Sequence, residues 1–344
     1  MTALFEDIHV VKIEKGRYGP RGMPGDLIAL TDGRLLLSYT RAAVGVMGRA
    51  SEDRGKSWGD EFVLAANPAP PAPTGVFCHP SFLHLTGGRL LFSYIYGAGD
   101  VLPYYGQNYF RVSADDGATW SDQFVMTPHP GYVIMHNAKL LRLSTGRILA
   151  PCEYKKRMPS TEDHSGYVCV VFYSDDDGHS WWASPTDVDM DPHEAQEPHV
   201  VELKDDRVMM LFRTYSGWIG RSYSSDGGET WSPGEMVENL PLPTVTGALS
   251  VHRLPGRSGG PQTGDLLLIQ ITGGRDGKRS PLTAKISKDE GETWSAGRNI
   301  GGDLDDDYGY QSVTFVDDVA LVSYHSLDGL HVARLSTDWF YQDE

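Results

Sequence analysis

The chain is poor in cysteine, in basic charge and in long apolar runs. It has 3 cysteines in 344 residues, and Cys78, Cys152 and Cys169 fit neither a zinc-site spacing nor a disulfide framework, which favours a reducing compartment. Basic residues are few: 30 Lys+Arg stand against 46 Asp+Glu, a net charge of -16, and no basic run occurs. Nucleic acid and an anionic membrane surface are therefore not expected as partners. No apolar stretch approaches the ~18 residues of a membrane-crossing helix, so membrane insertion is not expected either. The opening Met1–Asp7 lacks a basic n-region and an apolar core, so a cytoplasmic protein is expected, secreted or periplasmic only if a leader has been removed. Neither C-x-x-C nor H-E-x-x-H occurs, and the expectation is no metal and no cofactor. Helical periodicity is missing too. What is present is a 40% apolar content, enough for a sizeable core. An acidic field repels anions, so a site for one must gather its own positive charge.

The chain repeats itself. S-x-D-x-G-x-[ST]-W occurs at 51–58, 113–120, 174–181, 224–231 and 287–294, with Asp53, Asp115, Asp176, Asp226 and Asp289 separated by 62, 61, 50 and 63 residues. A second pattern, an apolar residue, a Gly or Asp turn and an apolar strand, centres on Gly33, Gly88, Gly146, Asp206, Gly264 and Asp318. Six copies at a period of about 60 residues, each reading as short strands broken by D-G, T-G and G-G turns, predict an all-β, six-bladed β-propeller with four antiparallel strands per blade. The whole chain, 1–344, reads as one propeller domain. Blade six lacks the Asp-turn motif, and its irregular end together with the N-terminal strand predicts ring closure by strands from both termini. The Asp motif itself reads as turn chemistry: Asp accepts its own turn's amides, Gly supplies φ > 0 and Trp packs between blades.

Strand polarity then separates two faces. If the Gly turn joins strands one and two and the Asp turn joins strands three and four, both lie on one face. The opposite face collects strand-one starts and strand-two ends. In register, these are Met23-Pro24, His79-Pro80, His136-Asn137, Glu197-Pro198 and Tyr310-Gln311, followed by Arg41, Tyr94, Tyr96, Glu153, Tyr154 and Arg213, with Arg279 opening a third strand. Several arginines suit a carboxylate, which they hold by bidentate charge-assisted hydrogen bonds. A Tyr beside a Glu suits nucleophilic attack despite a phenol pKa near ~10. The expected ligand is an acidic carbohydrate, and nothing in the sequence specifies an oligomeric state.

The five Asp boxes and the six-blade count resemble the sialidase (neuraminidase) superfamily, in particular bacterial sialidase-like proteins with BNR repeats. By that resemblance QEPHVVELKDDRVMMLFR implies Glu197 as the partner of the nucleophile and Arg213 as a carboxylate-binding arginine. RSPLTAKISKDEGETW implies Arg279 as another, and YGYQSVTF implies Tyr310 as nucleophile, with Tyr308 the neighbouring alternative. The first arginine falls to Arg21, one residue earlier than the family's Arg-Ile-Pro order, with Arg41 the next choice. The family's acid/base Asp has no counterpart in TRAAVGVMG. Asp26, Asp100 and His79 are the substitutes considered, His79 also as a substrate-binding residue.

Three functions follow. The resemblance implies an exo-glycosidase that removes a terminal acidic sugar through a tyrosyl intermediate. In a propeller lyase acting on uronates, an Arg would neutralise the carboxylate while His136 or Tyr154 removed the C5 proton. A glycan-binding propeller would keep the arginines without turnover.

Overall fold

The computed structural model describes residues 3–12, 24–68, 75–98, 105–126, 131–156, 166–243, 247, 249–256 and 264–342. Six antiparallel sheets follow one another around a ring. Blade one comprises Gly25–Ala29, Leu35–Arg41, Gly45–Ser51 and Phe62–Ala66, and blade two Val76–His84, Leu90–Ala98, Tyr105–Ser113 and Phe124–Val125. In blade three the inner strand is broken into Val133–Ile134 and Leu141–Arg142, both paired with Ile148–Lys155. Blades four and five start at Gln196–Glu202 and Ser250–Arg253. Blade six orders Gly309–Val316, Val319–Ser326 and Gly329–Ser336, and its fourth strand is the N-terminal Phe5–Lys12. The ring is closed by both ends of the chain, as the sequence predicts.

Burial explains the composition of each strand. Second strands lie between two neighbouring blades and read as apolar runs; Leu266–Ile271 is buried at all positions. Outer strands are covered on one side only, so Glu235–Pro241 buries just Val237 and Leu240 and exposes the rest. Six apolar layers result, one at each blade junction. Each fully buried Leu in them contributes ~1.5–3 kcal/mol.

The Asp boxes fasten these junctions. Asp53 accepts the Ser57 amide at 2.8 Å and the Ser51 hydroxyl at 2.9 Å, and Asp115, Asp176, Asp226 and Asp289 repeat the arrangement. The box glycines Gly55, Gly117, Gly178, Gly228 and Gly291 have φ of 81 to 93°. A Cβ at Gly228 would lie 2.7 Å from Leu149 in the preceding blade, and the other box glycines face Leu321, Leu36, Leu91 and Met209 in the same way. Each box therefore docks on the blade before it, and its Trp enters that junction. Blade six has no box, and Trp339 and Phe340 from the one-turn helix Thr337–Tyr341 fill the junction instead. The second turn series sits on the same end: Thr31 and Thr86 donate their amides to Asp116 and Asp177 of the next blade's box. In blade six the left-handed turn residue is Asp317 rather than Asp318.

Candidate active site

Three inner strands carry the same irregularity at the end opposite the boxes. Their registers jump between Cys78 and Ser81, Gln196 and His199, and Gly309 and Ser312. Within the jumps His79, Glu197 and Tyr310 adopt φ of 52°, 51° and 50°. Left-handed backbone at non-glycine residues costs of order 1–3 kcal/mol each and persists where the surroundings enforce it. The bulges turn these side chains onto the propeller axis. In blade three the break between its two inner strands does the same for His136, and Asn137 ties the centre together: its Nδ2 donates to the carbonyls of Gly25 at 2.7 Å and Tyr310 at 2.8 Å, in blades one and six.

The aromatic rings of the site pack directly. Tyr310 lies parallel to His136, at 5° and 6.1 Å between centroids, while His79 stands edge-on to both at 5.6 and 4.6 Å. Arg279 covers the Tyr310 ring with its guanidinium carbon 5.7 Å from the centroid. Arg213 Nη1 is 3.1 Å from Glu197 Oε1, and its Nη2 donates to the Tyr215 hydroxyl at 2.8 Å. Glu153 bridges the groups, with Oε1 3.4 Å from His136 Nε2 and Oε2 accepting the Glu197 amide at 3.1 Å.

Electrostatics divides the roles. Burial pushes the Glu197 carboxyl up, but the charges of Arg213, His136, Arg279 and Lys139 outweigh it and hold the group at about 2. Burial and the Glu197 carboxylate push the Tyr310 phenol up, against Arg279 and Arg213. Burial, reinforced by His136, drives His79 well below the ordinary imidazole range, so it stays neutral. Lys139, buried with its Nζ on the Leu249 carbonyl at 3.0 Å, is lowered by burial to about 8. Several buried polar atoms nevertheless have no hydrogen-bond partner among the described residues: Glu197 Oε2, Arg213 Nε, and Arg279 Nε and Nη1. Orphaned buried guanidinium donors cost free energy that an anionic acceptor would recover.

The structure thus brings together Tyr310, Glu197, His136, His79, Arg213 and Arg279. Other expected residues lie elsewhere. Asp26 is buried, and its carboxylate accepts the amides of Leu27 and Phe82, each at 2.7 Å; it clasps blades one and two on the wall of a channel cavity of about 420 Å³ that also contains His199, His252 and Arg253. Burial raises its pKa to about 7. Arg41 holds Glu61 of its own blade, through Nε at 2.9 Å and Nη2 at 2.8 Å. Tyr154 packs against the apolar layer between blades two and three, because adjacent strand residues point to opposite sides and Glu153 takes the inward one. Tyr308, the alternative nucleophile, is a core residue beside Tyr324. Arg21 and Asp100 lie outside the described residues.

Sequence reasoning placed Glu153 on the correct face without a role, and missed Lys139 altogether. Lys139 carried no signal, since a lone Lys on a strand reads as a surface residue. Among the described residues no three metal-donor side chains gather in this cluster; the group that does lies at the ring closure.

Residues 40–322 match the BNR repeat-like domain family. A sialidase of Micromonospora viridifaciens is 28% identical over 294 residues, 78% of this chain and 43% of that protein, so the chain spans less than half of this relative. Among solved structures, a protein of unknown function from Dyadobacter fermentans superposes with a TM-score of 0.72 at 19% identity, covering 96% of this chain and 98% of the other. The NanB sialidase of Streptococcus pneumoniae superposes with a TM-score of 0.68 at 14% identity, covering 96% and 70%.

Proposed function

The chain belongs to the BNR repeat-like domain family and is a sialidase-like propeller; from that premise we propose that it is a retaining exo-glycosidase that releases a terminal acidic sugar, a sialic acid or related ulosonic acid. The observation that carries this reading is the pair of buried arginines, Arg213 and Arg279, with unpaired N–H donors around a Tyr310–Glu197 pair. They suit a substrate carboxylate. Tyr310 oxygen attacks the anomeric carbon while the glycosidic C–O bond breaks, and Glu197, ionised at any working pH, takes the phenol proton. Departure of the aglycone oxygen requires a proton. His136 supplies it, with Glu153 Oε1 3.4 Å from its Nε2, whereas burial keeps His79 in the neutral, only weakly acidic form. His136 then takes a proton from the water that attacks the anomeric carbon; the bond from that carbon to the Tyr310 oxygen breaks, and the phenolate recovers its proton from Glu197.

The lyase reading keeps His136 but is not favoured through Tyr154, which packs against the apolar layer between blades two and three. The test is a fluorogenic N-acetylneuraminic acid glycoside, with the Tyr310→Phe variant alongside. Release by the wild type, reduced on the order of 10³-fold or more in the variant, is expected. Equal release by both proteins overturns the tyrosine role, and no release by the wild type from this or other ulosonic acid glycosides overturns the reading.

A further inference from the structure

The sheet that closes the ring carries a second cluster of ionisable side chains. Phe5–Lys12 pairs with Gly329–Ser336 so that His9 stands directly opposite His331. Opposed residues of an antiparallel pair project from the same face, ~4.5–5.5 Å apart at Cβ. The two imidazoles meet there, with centroids 5.1 Å apart. The register shifts immediately after His9, between His9 and Val11, a bulge at the edge of the sheet. The turn preceding Gly329–Ser336 adds Asp328, whose Oδ1 is 2.8 Å from His331 Nε2. One donor atom from each of His9, Asp328 and His331 lies within 4.8 Å of the other two. Behind this group, Asp7 Oδ2 lies 3.2 Å from the other ring nitrogen of His331, Nδ1.

The geometry points to a binding site for Zn²⁺ or a similar divalent transition ion, held by His9, Asp328 and His331, with Asp7 as the carboxylate that orients His331. Two imidazoles and one carboxylate are a donor set for zinc, and three protein ligands leave a fourth, solvent-facing position for water. Calcium and magnesium require mostly oxygen ligands and do not fit. Tetrahedral bonds of ~2.0–2.1 Å need donors ~3.3 Å apart. His9 and Asp328 are exposed, and small side-chain rotations that exchange their present hydrogen bonds for the ion bring the donors to that spacing. A ligating His ordinarily donates its second N–H to a carboxylate, and Asp7 stands in that position. His9 is separated from Asp328 and His331 by more than 300 residues of chain and meets them only when the terminal strand closes the ring, so the ion fastens the closure. Binding to the folded state alone raises stability by mass action.

The experiment is calorimetric titration of the whole chain, stripped with a chelator, with ZnCl₂ and separately with CaCl₂. One Zn²⁺ per chain, no calcium heat, and a Zn²⁺-dependent rise in Tm reversed by chelator are expected. His9→Ala and Asp328→Asn weaken the binding at least about tenfold, and Asp7→Asn weakens it ~10-fold at unchanged stoichiometry. His9→Gln serves as the second variant if His9→Ala loosens the edge strand. Absence of stoichiometric Zn²⁺ binding, or equal binding by the wild type and the folded His9 variants, overturns the site.

Discussion

At the Asp-box end of the propeller, Asp176 accepts the hydroxyls of Ser174 and Ser180 and the Ser180 amide, and its neighbour Asp177 is held by Thr86, Arg89 and Arg142. At the opposite end Glu197 Oε2, Arg213 Nε and two nitrogens of Arg279 are buried with no hydrogen-bond partner among the described residues. Both ends are built from the same repeated hairpins. The first ties its turn carboxylates into hydrogen bonds and locks each blade to the one before; the second leaves charged donors and an acceptor facing the axis and holds His79, Glu197 and Tyr310 in left-handed backbone. A repeat whose junctions are over-determined at one end can carry unpaired charge and backbone strain at the other.

Substitutions at the two ends are therefore expected to separate stability from turnover. The largest effect is at the open end. His136→Asn should slow release of a sugar from an alkyl or glycosyl aglycone by ~10²–10⁴-fold, the usual contribution of a positioned general acid. An aryl aglycone leaves without protonation, so its release should fall far less. Equal losses on both substrates, measured as kcat/KM against an active wild type, would exclude His136 as the proton donor.

A smaller and opposite outcome is expected at the closed end. Asp176→Ala removes charge-assisted hydrogen bonds and should cost about 1–3 kcal/mol in denaturant unfolding, with kcat unchanged in the folded protein. A comparable fall in kcat would show that the two ends are coupled rather than independent.

The smallest effect is the pH response. Hydrogen bonds from Ser57 hold the Asp53 carboxyl at about 2, and those from Thr119 lower Asp115 likewise. A carboxyl whose folded pKa lies below its unfolded value stabilises above the unfolded value of ~3.9, and that contribution is lost as pH falls through about 2. Thermal unfolding from pH 5 to pH 2 should thus show a declining Tm, less steep in Asp53→Asn; parallel curves for the two proteins would contradict this. Burial gives Asp26 the opposite sign: raised to about 7, it destabilises the fold as pH rises from ~3.9 through about 7.

Much of the architecture was legible because repetition is a one-dimensional property. The Asp boxes and Gly turns counted six blades, and register along the inner strands brought His79, His136, Glu197 and Tyr310 to one end. The parity of side chains was less accessible. A bulge moves every later residue to the other side of a strand, so the choice between Glu153 and Tyr154, adjacent at a strand end, could not be made from spacing. Arg41 looked equivalent to Arg213, but its fate depended on Glu61 at the start of an outer strand. Asp26 reads from the sequence as a substitute acid/base, whereas two backbone amides of adjacent blades claim it.

The sequence by itself determined the all-β repeat, the number of blades and the boxes that join them, since turn chemistry and strand patterning act over a few residues. Tertiary structure alone decided which groups face one another across the axis, which buried charges remain unpaired, and that His9 meets Asp328 and His331. Those outcomes depend on closing a ring, where partners from distant blades set the dielectric, the hydrogen bonds and the charge that each side chain experiences.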